Sequence, residues 1–107
     1  MYRMLIVAKM DPTNAQSVAD VFAESDATEL PHLVGVDRRT LLHFNGLYFQ
    51  LVEAERDITG NLYRERTNPL FQDIHYKLAE FIKPYDPNWK EPKDAMANVF
   101  YSWSRDK

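Results

Sequence analysis

A chain of 107 residues with 45% apolar and 13% aromatic side chains has the length and core material of one folded domain, expected here over residues 1–107, and not of a disordered chain. A formal charge of -3 leaves no concentrated basic excess, so nucleic acid is not an expected partner. The absence of cysteine excludes disulfides, thiolate metal sites and cysteine nucleophiles.

The run Arg3 to Met10 (RMLIVAKM) is rich in strand-favouring residues, and with Lys9 inside it is too short for a signal h-region or a membrane span. Neither signal nor membrane is expected, and the protein is read as cytoplasmic. The run stops at Asp11-Pro12, an N-cap followed by proline at the first helical position. From Pro12 to about Glu24, Ala15, Val18, Ala19 and Phe22 recur at spacings of three and four, one face of a helix that should cover a sheet.

Between Val36 and Ala54, Asn45-Gly46 joins two strand-like runs and is the preferred pair for a two-residue type I′ hairpin. That turn sets Phe44 opposite Leu47, Leu42 opposite Phe49, Thr40 opposite Leu51 and Arg38 opposite Glu53, an apolar face ending in an ion pair. The other face carries Arg39, Leu41 and His43 across from Tyr48, Gln50 and Val52, and is mixed and capable of hydrogen bonding.

A short helix is expected from about Asp57 to Arg66, then a longer one from Asn68-Pro69, with Leu70, Ile74, Leu78 and Phe81 in helical spacing until Pro84. A proline-punctuated connector over Tyr85 to Asp94 is the one candidate lid, and Met96 to Trp103 (MANVFYSW) reads as the last strand. The order βαββαβ predicts a ferredoxin-like α+β fold with both helices on one face of a four-stranded antiparallel sheet. The mixed face is expected to be the uncovered one, and too apolar to be left in water, so a second copy should cover it in a homodimer.

On that face Arg39 needs an anion, carboxylate or carbonyl; a dimer-interface ion pair and a contact to a substrate oxygen are both open. Asp26, in the break after the first helix, is either a cap for the next turn or an acid–base group. His43, two residues from Arg39, either rests in the interface or flanks a ligand. Ser25 has no triad around it, and His32, His43 and His75 lack metal-ligand spacing. With only 3 glycines there is no phosphate cradle, and no metal or nucleotide cofactor is expected.

Several segments together resemble the small aromatic polyketide cyclases of the tetracenomycin type: YRMLIVAKMDP, ESDATELPHLVGVDRRTLLHFNGLYFQLVEAE, NPLF and the closing VFYSW. The resemblance runs nearly end to end. It implies a dimeric α+β barrel and a cofactor-independent intramolecular aldol cyclisation with loss of water, on a partly cyclised aromatic poly-ketone from a bacterial type II synthase, with transient contact to synthase components. It places Asp26 and Arg39 in the substrate cavity as catalytic residues, with Ser25, His43, Tyr48 and Gln50 orienting the substrate's oxygens. Members of the family carry histidines at the positions of Ser25 and Gln50. Two other functions fit the same scaffold: a cofactor-free anthrone-type monooxygenase, and a non-catalytic polyketide-binding subunit.

Overall fold

The computed structural model describes residues 1–105. Strand β1 (Tyr2–Met10) leads through a 3-10 turn at Pro12–Asn14 into helix α1 (Ala15–Asp26). The Asp11 carboxylate accepts the Thr13 N–H at 2.9 Å, so the Asp-Pro pair acts as the start signal it resembles. A short helix α2 (Leu30–Val34) follows, then strands β2 (Arg38–Phe44) and β3 (Leu47–Ala54). Helix α3 (Thr59–Arg64), helix α4 (Pro69–Leu78) and the two-residue strand β4 (Ile82–Lys83) complete the elements. The sheet order is β2-β3-β1-β4 with every neighbour antiparallel, which is the ferredoxin-like arrangement.

The hairpin register is the expected one, from Phe44 opposite Leu47 to Arg38 opposite Glu53. Asn45 and Gly46 have φ of 51° and 77°, the two positive values that a type I′ turn demands. At the far end Glu53 lies 3.3 Å from the Arg3 guanidinium and 4.0 Å from that of Arg38.

The assignment of faces is reversed from the expectation. Met4, Ala8 and Met10 of β1 share a face with Tyr48, Val52 and Ala54 of β3, and these are buried with Val18 and Phe22 of α1 and Ile74 of α4. The helices therefore cover the mixed face, and Arg39, Leu41 and His43 lie on that covered side. The face left open is the more apolar one. It carries Leu5, Val7, Leu47, Phe49 and Leu51, all half-buried, with Leu42 and Phe44 exposed at 49% and 66%. The physical reason is that a polar network can be buried if its members satisfy one another, whereas a purely apolar face can wait for a second surface.

The last strand is also placed differently. Ile82–Lys83, not Met96–Trp103, pairs with β1, and of the latter segment only the Met96–Ile6 bridge and the Ala97 N–H to Leu5 carbonyl bond, 2.8 Å, touch the sheet. Beyond it Val99, Phe100, Tyr101 and Trp103 stand in solvent. Helix α4 stops at Leu78, short of Pro84, because a residue before proline is driven to extended backbone and Lys83 is drawn into β4. The connector is not loose: the Tyr63 hydroxyl donates to Glu91 at 2.8 Å, and Glu91 and Asp94 form a reciprocal capping box. No helix among the described residues is long and apolar enough to cross a membrane.

Candidate active site

Helix α1 ends where β2 begins its course beneath it, and this brings Asp26 onto Arg39. The Arg39 Nε lies 3.0 and 3.2 Å from the two carboxylate oxygens and its Nη2 2.8 Å from Oδ1, a side-on ion pair. Nη1 donates to the Gln50 side-chain oxygen, and the Gln50 amide nitrogen in turn donates to the Tyr48 hydroxyl at 3.1 Å. Two adjacent strands and a helix end thus hold one continuous chain of carboxylate, guanidinium, amide and phenol.

Burial grades along this chain. The Asp26 and Arg39 side chains are 37% and 17% exposed, whereas Gln50 and Tyr48 are buried. Arg39 also lies over the ring of Phe22, 5.0 Å from its centroid, which fixes the plane of the guanidinium. Burial pushes the Tyr48 phenol far above the ordinary tyrosine range; the Gln50 hydrogen bond and the Arg39 charge pull the other way and lose. The phenol is neutral throughout the physiological range.

A groove of about 250 Å³ runs between α1 and the hairpin, walled by Met10, Ala15, Val18, Leu41, His43 and Tyr48 among others. It is apolar except where Gln16, His43 and Tyr48 meet it. A larger cleft of about 520 Å³ lies between the ends of α1 and α4, against Val21, Tyr76, Lys77 and Phe81, and does not reach Arg39. Among the described residues no cluster of three or more metal-ligating side chains occurs.

Of the residues singled out from sequence, Asp26, Arg39, Gln50 and Tyr48 are in one hydrogen-bonded group, with His43 exposed opposite Tyr48 at the groove. Ser25 is half-buried next to Asp26; its carbonyl accepts from the Thr28 N–H and hydroxyl at 3.0 and 2.6 Å, and its side chain takes no part in the chain of bonds. The next turn is capped by Thr28, whose hydroxyl accepts the Leu30 N–H at 3.2 Å, so Asp26 is not the cap. Nor does Arg39 lie in an open-face ion pair: its carboxylate partner is in the same chain, at the end of α1. Phe22 was missed as a site residue, although it precedes Asp26 by four residues and so shares its helix face.

The polyketide synthesis cyclase family profile matches residues 2–104. The chain belongs to that family. It is 48% identical over 103 residues to tetracenomycin F2 cyclase of Streptomyces glaucescens, covering 96% of this chain and 94% of that protein. The solved structure of the same cyclase, described as a type-II polyketide cyclase, superposes with a TM-score of 0.92 over 97% of this chain and 98% of that one. The polyketide synthase protein CurG of Streptomyces cyaneus is 43% identical over 107 residues, covering 99% and 100%. A candidate antibiotic biosynthesis monooxygenase of Nitrosomonas europaea has a TM-score of 0.54 at 8% identity over 77% of this chain and 86% of that one, a likeness of fold alone. The present chain is thus an enzyme, a polyketide cyclase. The fold of this cyclase places its covered network on the helix side of the sheet, where the Tyr48 end of the network lines the groove between α1 and the hairpin.

Proposed function

We propose that this cyclase closes a ring on a partly cyclised aromatic poly-ketone from a bacterial type II synthase, by intramolecular aldol addition and loss of water, without a cofactor. The observation that carries the reading is the Asp26–Arg39–Gln50 constellation, joined through the Gln50 amide to Tyr48, which lines a largely apolar groove. Methylenes between carbonyls are acidic, so ring closure requires a proton acceptor, a charge stabiliser and a held geometry, all of which side chains supply. Asp26, the more exposed end of the network, takes the methylene proton. Arg39, packed over Phe22 and held by its two partners, directs its remaining N–H groups to the enolate or alkoxide that develops, an interaction strengthened by partial burial. His43 at the groove mouth and Gln50 orient carbonyl and phenol oxygens, with Ser25 beside Asp26. A groove of about 250 Å³ holds the reacting end of a multi-ring molecule.

The working form is a homodimer. The open sheet face with Leu42 and Phe44 exposed, and the exposed side chains of Val99, Phe100, Tyr101 and Trp103, are apolar surfaces that a monomer would leave in water. Asp26→Asn and Arg39→Ala test the site together. Loss of cyclised product in both, with the dimer intact, is expected; full turnover and unchanged regiochemistry in both would leave only a templating pocket.

A further inference from the structure

The polarity of the hydrogen-bonded chain has a consequence for its last member. Arg39 has only donors, so the Gln50 side chain must present its oxygen to Nη1, and its amide nitrogen must face the Tyr48 hydroxyl. The Tyr48 oxygen is therefore an acceptor within the network. Its own hydrogen is left for a partner outside the network, and among the described residues the hydroxyl has no second partner. Tyr48 is at the same time a wall of the groove. Arg39, held in place by Asp26, thereby leaves the buried phenol's own proton free of the network.

The geometry points to Tyr48 as a catalytic hydrogen-bond donor, placing its O–H on the ketone oxygen that gains negative charge as the new carbon–carbon bond forms. In that step the enolate carbon attacks the ketone carbon and the carbonyl π pair moves to oxygen. Tyr48 keeps its proton throughout and stabilises the alkoxide by hydrogen bonding, together with Arg39. A phenol raised by burial suits this role, since it remains a donor wherever the enzyme works. Gln50 makes the arrangement possible: an amide has a fixed donor and a fixed acceptor, so it transmits the orientation of Arg39 to Tyr48 without taking up a proton itself. The charged or titratable groups that face Tyr48 are Arg39 and His43 of β2, and Asp26 through Arg39; the α1 wall of the groove is Ala15, Gln16, Val18 and Ala19, with no charge.

This inference rests on the aldol reading above, and the test separates the two. Tyr48→Phe keeps the buried ring and removes only the hydroxyl. It should lower kcat about 10²-fold, the usual effect of deleting one oxyanion donor, with native circular dichroism. Incorporation of 3,5-difluorotyrosine at position 48 alters acidity with little change of shape, and it distinguishes a donor from a spacer. A donor gives an alkaline limb of kcat that moves to lower pH, because the phenol must be protonated and its fluorinated form loses the proton sooner. A loss in Tyr48→Phe with an unmoved alkaline limb in the fluorinated enzyme would make Tyr48 a structural spacer and overturn the inference. Unchanged turnover in Tyr48→Phe with turnover lost in Arg39→Ala would overturn it while leaving the aldol site standing. Unchanged turnover in both would overturn the aldol reading as well.

Discussion

Arg39→Lys keeps the positive charge and removes the fork, and its outcome follows from the distances. Arg39 reaches Asp26 through Nε and Nη2 and Gln50 through Nη1 at the same time. One ammonium cannot span both partners, and it lacks the planar face that a guanidinium offers to the Phe22 ring. If the lysine follows Asp26, the buried Gln50 oxygen loses its donor, at a cost of about 1–3 kcal/mol for an unsatisfied buried group. If it follows Gln50 instead, Asp26 loses its partner, and because that carboxylate is more than a third exposed, water covers part of the loss, which then lies near the lower end of that range. A net loss of about 1 kcal/mol corresponds to roughly 4–8 °C in Tm for a chain of this size. The catalytic loss is larger, about 10²–10³ in kcat if the planar donors stabilise the alkoxide. Thermal melts and product quantification by mass spectrometry read the two effects separately. Full turnover in Arg39→Lys with the expected fall in Tm would refute the argument that the fork matters to the chemistry.

Further outcomes follow from other parts of the structure. Phe44→Glu, on the open sheet face, should convert a dimeric mass to a monomeric one by light scattering while leaving the circular dichroism intact; an unchanged dimer would show that this face is not the interface. Gly46→Val meets no atom within 4 Å, so its effect is backbone strain at φ +77° alone, about 1–2 kcal/mol in urea unfolding. Backbone N–H donors of the neighbouring turn hold the Asp11, Asp57 and Asp94 carboxyls below the ordinary aspartate range. A carboxylate lowered on folding adds stability above about pH 4 and loses it as pH falls through the folded value. The stability lost on acidification below about pH 4 should therefore shrink in a triple Asp→Asn variant, whose amides do not titrate, and an unchanged acid dependence in urea unfolding would contradict the assignment.

The hairpin was fully legible because Asn45-Gly46 leaves a single register, and once Phe44 faces Leu47 every other pair is set. The helix starts at Asp11-Pro12 and Asn68-Pro69 were legible for a similar reason: an oxygen cap and a prolyl ring act within a few residues. The choice of covered face was not legible. Both hairpin faces contain enough apolar surface for a helix layer, and the deciding factor is the mutual satisfaction of Asp26, Arg39, Gln50 and Tyr48, which is set by where α1 ends. Helix α2 escaped notice because five residues show little periodicity. Its one local signal was Gly35, whose φ of 97° closes the helix onto the Pro31 carbonyl. Strand β4 has two residues, too few for a pattern, whereas VFYSW has strong strand character and no place in its own chain's sheet. The Asp26–Arg39 pair spans 13 residues across two element ends, so only the tertiary fold could show that a suspected cap was a partner.

The most direct test of the central claim is to incubate the purified protein with a panel of partly cyclised aromatic poly-ketones, with and without oxygen, and weigh the products by mass spectrometry. The account predicts loss of one water at equal rate in both atmospheres, abolished in Arg39→Ala. Oxygen-dependent gain of an oxygen atom, with no water-loss product under anaerobic conditions, would contradict it.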